Sequence, residues 1–493
     1  MLGSLVAPGC SLLVDDGGGD RECSSTQWLH TAGGDGIDGA EAIAVDESCN
    51  VLVCGSFDVS FPLTAEIQLE TGGETDAYAI KLSGDGEIEW ARSFGGDGVD
   101  TCTAAAADDG GAFYIGGEFT GSIEIGDATL TSRGQADLYV AALSASGAVL
   151  GTVSFGGPDS DELRDIEVLP DDGLVAVGRV AGETNLPCDS DPCAASLNGQ
   201  GFATWLGTDL APEHTVFLGS GAGGSGEGAD RARAVATAPD GTVYVAGTAG
   251  TAGVDWSVGG CEFDGGRVTR DGFVAKFAAD RSCAWLEQIS SSSAVDVIGL
   301  DAVETDAGDV AVAGVGVTRG DIAFDGATIG EFSASSAYGF AFRLTDRGSN
   351  ATQSWLRYIG TAGSDGLGGV AIDPDSGGVF VVGNWGGGNN DATLELGGTV
   401  HEKPGNEDNQ DTSLDIIVAR LGPQGDPVDW SIALGGDGED GAFSLALKQG
   451  RVFVHGSFSS TADLLLGSET SAGASDLFTL VVDSTDPAPA ATE

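Results

Sequence analysis

An apolar run ending in glycine recurs seven times along this chain: VLVCG to Gly55, FYIGG to Gly117, LVAVG to Gly178, VYVAG to Gly247, VAVAG to Gly314, VFVVG to Gly383 and VFVHG to Gly456, at intervals of 61 to 73 residues. Such a period describes a stack or ring of equal units, because one unit alone cannot bury its apolar face. An Asp- or Gly-containing turn (PDDG, PDG, DSGG) precedes each run and marks a tight hairpin. A second apolar strand opens at Asp76, Asp137, Gly201, Asp271, Tyr338, Asp415 and Asp476, and a further strand is often led by tryptophan, at Trp90, Trp285, Trp355 and Trp430. Ala-rich segments such as AEAIAV, TCTAAAA and RARAVATA supply one more strand upstream. Four strands in each of seven units predict an all-β fold, a single seven-bladed β-propeller of four-stranded antiparallel blades. Small residues suit the innermost strands, which converge on the axis where bulky side chains would collide.

The phase of the repeat predicts how the ring closes. The last unit ends at DLFTLVVDS, Asp476 to Ser484, without its Trp-led strand, while an orphan strand of that kind, TQWLHTAGG, opens the chain at Thr26. The N-terminal strand is therefore expected to complete the last blade and remove two open sheet edges. This divides the chain into a signal and acidic Gly-rich tether (1–23), the propeller (24–484) and a short flexible tail (485–493).

With the segments DGTVYVAG and DGFVAKF in place, the chain resembles the bacterial SBBP-type propeller repeat over about residues 26 to 482. The resemblance implies a secreted or surface protein of mostly unassigned activity. The third unit lacks the Trp and the strand-opening Asp, and the fifth has SSSS in place of the Gly pair.

Composition narrows the partners. Eighty-two glycines against 14 prolines suit many tight turns, and 41% hydrophobic residues suffice for a core. Seventy-six acidic against 20 basic residues, a net charge of -56, would repel nucleic acid and anionic membrane surfaces. Small residues before Cys10 and an acidic Gly-rich stretch after it resemble a lipoprotein signal ending at a lipidated cysteine, although only nine residues, none basic, precede it. The other eight cysteines read as disulfides of an oxidising compartment, with Cys188–Cys193 and Cys261–Cys283 as local pairs; Cys23, Cys49, Cys54 and Cys102 can pair in three ways. The sequence thus predicts an exported monomer, anchored to a membrane only through lipid.

The hexads GGDGID (Gly33 to Asp38), GGDGVD (Gly95 to Asp100) and GGDGED (Gly435 to Asp440) fit the core of a calcium-binding nonapeptide repeat. Their last Asp aligns with one in every unit: Asp38, Asp100, Asp161, Asp230, Asp296, Asp365 and Asp440. Sevenfold recurrence favours a structural role in which the carboxylate accepts backbone N–H groups of the Gly-rich turn. A rim calcium ion held by Asp35, Asp38, Asp97, Asp100, Asp437 and Asp440 is the competing reading, though one turn offers fewer oxygens than the roughly 6–8 that calcium takes. Catalysis has little support: His30, His214, His401 and His455 lie in different units and in no known catalytic pattern, and GSGAGGSGEGAD lacks the Lys of a phosphate loop. The longest excursion, after Gly383, carries Trp385, Asn389 and Asn390, residue types able to stack on and hydrogen-bond a protein or carbohydrate ligand. A binding, adhesion or scaffold module without cofactor is the resulting expectation. Its alternative is a glycan-active or other hydrolytic enzyme using carboxylates at the channel mouth.

Overall fold

The apolar runs that end in glycine form the second strands of four-stranded antiparallel sheets, and seven such sheets stand in a ring. The computed structural model describes residues 23–487 except 188–192, 195–198, 220–229, 251–256, 263–269, 325–326, 330–335, 362, 387–392 and 404–412. Blade 1 runs outward through Asp38–Val45, Val51–Phe57, Asp76–Leu82 and Ile88–Phe94. The inner strands of blades 2 to 7 are Ala104–Ala107, Glu162–Val168, Arg231–Thr237, Val295–Glu304, Gly366–Ile372 and Gly441–Lys448. Each packs beside the next, and blade 7 returns to blade 1, so that the inner strands enclose a central channel.

The recurring glycine has a steric cause. A Cβ on Gly55, Gly117, Gly178, Gly247, Gly316, Gly383 or Gly456 would lie 1.8–2.2 Å from the carbonyl oxygen of Gly39, Thr101, Glu162, Arg231, Asp296, Gly366 or Gly441, respectively. In blade 5 the constrained residue is Gly316, two residues beyond the Gly314 that the pattern picks out. That offset matters below.

Blade 7 consists of Gly441–Lys448, Arg451–Phe458, Asp476–Asp483 and, at its outer edge, Trp28–Ala32, with Trp28 opposite Val481 and Ala32 opposite Leu477. The strand from the start of the propeller thus fills the place left vacant at its end. A disulfide between Cys23 and Cys49 ties the segment before this strand to the first hairpin of blade 1, and Cys54–Cys102 joins blades 1 and 2. The predicted pair Cys261–Cys283 is formed within blade 4. Cys10 and the Cys188–Cys193 pair lie outside the residues described.

Seven apolar clusters make up the core, one at each interface between neighbouring blades. The outer-strand tryptophans lock these interfaces. Trp90 donates to the Ala145 carbonyl of blade 2, Trp355 to Pro423 of blade 6 and Trp430 to Ser484 of blade 7. Below two of the rings sit glycines with positive φ, Gly147 under Trp90 and Gly425 under Trp355, where a Cβ would meet the indole at 2.7–2.9 Å. Excursions between second and third strands add a different coupling. Ser257–Val258 of blade 4 pairs with the outer strand of blade 3, Ile322–Phe324 of blade 5 with that of blade 4, and Thr461–Asp463 of blade 7 with that of blade 6.

Candidate functional site

The aspartates at the blade entries hold the turns by accepting backbone N–H groups. Asp38 accepts from Gly34 at 2.7 Å, Asp100 from Gly96 at 2.8 Å and Asp161 from Gly157 at 2.8 Å, each donor lying at the end of the preceding blade's outer strand. The same carboxylates reach their own blade's second strand: Asp161 takes Ala181 N–H at 2.9 Å, Asp230 takes Gly250 at 2.7 Å, Asp365 takes Gly386 at 2.9 Å and Asp440 takes Ser459 at 3.0 Å. Burial pushes the carboxyls of Asp38, Asp100 and Asp161 up to about 7, against the pull of these backbone donors.

Asp296 does not belong to this ring. Blade 5 is offset by one residue, so Val295 occupies the anchoring position and Asp296 takes the one equivalent to Glu162 and Arg231, as the glycine contacts establish. There Arg270 Nη2 donates to both of its carboxylate oxygens, at 2.6 and 2.5 Å, Arg270 Nε donates to one of them at 3.2 Å, and the Thr248 hydroxyl donates to it as well. The hexads also divide their two carboxylates. Asp35, Asp97 and Asp437 are exposed, while Asp38, Asp100 and Asp440 are buried. Among the described residues no group of three or more His, Cys, Asp or Glu side chains is placed to hold a metal.

Trp385 is corrected as well. The second strand of blade 6 continues to Gly386, and alternation along it turns Trp385 into the interface between blades 5 and 6, where it is 0% exposed. No ligand can stack on it. Asn389 and Asn390 lie outside the described residues.

The ring's symmetry breaks at one level of the channel. In six blades the inner strand carries a β-bulge after its second or third residue, and a bulge re-aims the extra side chain. The bulge residues are Glu41, Arg164, Arg233, Ile298, Gly368 and Phe443; with Thr103 of blade 2 they line a channel of about 940 Å³. Blades 1 to 5 are charged here and blades 6 and 7 are not. Glu162 binds Arg164 at 2.7 Å, Arg231 at 3.3 Å and Arg179 at 3.5 Å. Burial opposes ionisation of Glu162, yet these arginines hold its carboxyl below the ordinary value. Asp296 is likewise held low against burial, by Arg270, Arg233 and Thr248.

Two further carboxyls of this level behave oppositely. Burial raises Glu41, and burial with the nearby Glu162 and Glu41 raises Glu118 to about 7 in spite of Arg164. Arg233 has no hydrogen bond or ion pair among the described residues; burial and the like charges of Arg231, Arg164 and Arg270 lower its pKa against the attraction of Asp296. Deeper along the channel, Asp165 accepts from Val235 N–H at 2.9 Å and Asp301 from Ile372 N–H at 2.6 Å, so each clips its inner strand to the next blade's. Of this arc the repeat pattern marks Asp296 alone, and for a different role. Its signal was there, as arginines alternating with alanine in RARAVATA, a strand that needs only small residues if it does nothing but pack.

Fold and site together define a seven-bladed β-propeller with a charged arc on one side of its channel. No family model and no curated protein matches the chain, so the likeness to SBBP repeats rests on the segments quoted above. Among solved structures it is similar to a protein of unknown function from Dyadobacter fermentans (TM-score 0.39, 11% identity, 92% of this chain and 98% of that one). It is similar too to Sqt1 from Chaetomium thermophilum (0.39, 12%, 90% and 96%) and to the quinohemoprotein alcohol dehydrogenase from Comamonas testosteroni (0.39, 11%, 96% and 79%). Likenesses of this degree carry no argument about what the chain does.

Proposed function

We propose that the protein is an exported binding module, lipid-anchored at Cys10 on the cell surface, that takes its ligand at the charged level of the central channel. One observation carries this reading. The anchoring carboxylates repeat around the ring because they maintain the scaffold, whereas the bulge residues Glu41, Arg164, Arg233, Ile298, Gly368 and Phe443, with Thr103 in blade 2, are of six types over seven blades while facing the same space. A scaffold gains nothing from such variety, and a ligand, which lacks sevenfold symmetry, requires it. Three disulfides support export, since such bonds persist in oxidising compartments, and among the described residues no helix is long and apolar enough to cross a membrane.

The test is saturable binding on a glycan and peptide array, repeated with Ile298→Trp, which puts an indole into the channel. Binding lost in the variant supports the reading; binding that survives it refutes the channel as the site. A second reading is favoured by Glu118, whose carboxyl near 7 beside Arg164 suits a proton donor in hydrolysis. Turnover of a bound ligand that Glu118→Gln abolishes, without loss of binding, would select the enzyme.

A further inference from the structure

Among the described residues Arg233 has no ion-pair or hydrogen-bond partner, and the rest of the molecule makes that conspicuous. The chain carries 76 acidic residues against 20 basic ones, yet no described carboxylate lies within ion-pair distance of this guanidinium. Asp296, which attracts it, is already bound by Arg270 through Nη2 and Nε and by Thr248. Glu162 is shared among Arg164, Arg179 and Arg231. Five of the 20 basic side chains therefore meet on one arc, with two firmly ionised carboxylates between them and one arginine left over. A largely enclosed charge without a partner is costly, and a planar guanidinium is the group that binds a carboxylate through two parallel hydrogen bonds.

The opposite wall is of another kind. Gly366, Gly368 and Gly369 of blade 6 put no side chain into the channel, and beside them Phe443 of blade 7, 41% exposed, lines it. An aromatic face among glycines suits the flat face of a ring. About 940 Å³ is room for a small oligosaccharide. The net charge of -56 sets a limit on the ligand, because a polyanion would be repelled on approach while a single acidic group would not.

Resting on the channel as the ligand site, we propose that it takes an acidic saccharide, with one carboxylate on Arg233 and a sugar ring against Phe443. Calorimetric titration with a trisaccharide bearing one uronic acid, set against its carboxyl-reduced neutral counterpart, tests this. The acidic sugar should bind about 10- to 100-fold more tightly, the range of a charge-assisted pair. Arg233→Gln should erase that difference. Because it also removes an unpaired charge, it should raise the melting temperature of the free protein by about 1 °C, whereas an arginine with a structural role would lower it on replacement. Equal affinity for both sugars, a preference that survives Arg233→Gln, or no binding of either at millimolar concentration overturns the proposal. If the preference is absent but Ile298→Trp still abolishes binding, the carboxylate assignment fails alone; if binding survives Ile298→Trp, the channel reading fails with it.

Discussion

Replacing Cys23 and Cys49 together by serine removes the bond between the closing strand and blade 1, and its cost can be worked from the chain. The two cysteines are 26 residues apart. Loop-closure entropy for a ring of that size is roughly 12 cal/mol/K, or about 3.5 kcal/mol at 25 °C. Unfolding entropy near 2.1 cal/mol/K per residue over about 460 residues comes to roughly 1 kcal/mol/K, so the melting temperature should fall by only about 3–4 °C. The local effect should be much larger. Trp28–Ala32 pairs as a strand with one neighbour only, Asp476–Asp483, so the loss should concentrate in opening of that edge. Hydrogen exchange followed by mass spectrometry should show protection falling in Trp28–Ala32 and in the amides of Asp476–Asp483 that pair with it, with blades 3 to 5 unchanged. Serines at Cys261 and Cys283, whose separation is 22, serve as the control of nearly equal entropy within one blade. Equal exchange at the closing strand in both double variants would refute the idea that Cys23–Cys49 secures closure.

Other outcomes follow from the same structure. The raised carboxyls of Asp38, Asp100 and Asp161 favour the protonated form in the folded state, so their contribution is fully present below the ordinary aspartate value near 3.8 and is lost as pH rises through about 7. Glu162 and Asp296, held low, act with the opposite sign and lose their contribution on further acidification, so thermal melts should peak in mildly acidic buffer and decline towards pH 8. A melting temperature that rises steadily to pH 8 would contradict this. Trp90→Ala empties a largely buried interface position and orphans the Ala145 carbonyl; denaturant unfolding should register about 3–5 kcal/mol, and a loss below 1 kcal/mol would mean the tryptophan does not lock its neighbour. Excess calcium followed by chelator should move the melt by less than about 1 °C, while a shift of several degrees would restore the hexads as metal sites.

Periodicity made the propeller legible because each blade repeats a steric requirement, a glycine under a neighbouring carbonyl and an aspartate for a turn's N–H groups. The pattern misleads where local sequence keeps the residue type and changes its frame. In SSSAVD residue identity aligns the aspartate with the others, yet the backbone puts Val295 at the anchor and Asp296 one step on. The repeat stops at Gly383 and so leaves Trp385 to the excursion, while the strand runs three residues further and alternation carries the indole inward. The charged arc escaped for a different reason: Glu41, Glu118, Arg164, Arg233 and Arg270 are far apart in sequence, and only ring closure brings blades 1 to 5 to one wall. Repeats announce what units share, so a site built from their differences is the part they conceal.

The strands contributed by Ser257–Val258, Ile322–Phe324 and Thr461–Asp463 each shield the rim of the preceding blade, in the way a roof tile covers the one below it. Every such unit therefore brings the cover for its predecessor and receives its own from its successor. A duplicated unit inserted between two others would arrive with that overlap intact on both sides, leaving no sheet edge bare. Blade number in such a ring can change by whole-unit duplication, with the channel's diameter and wall chemistry, rather than edge protection, deciding whether the new ring is kept.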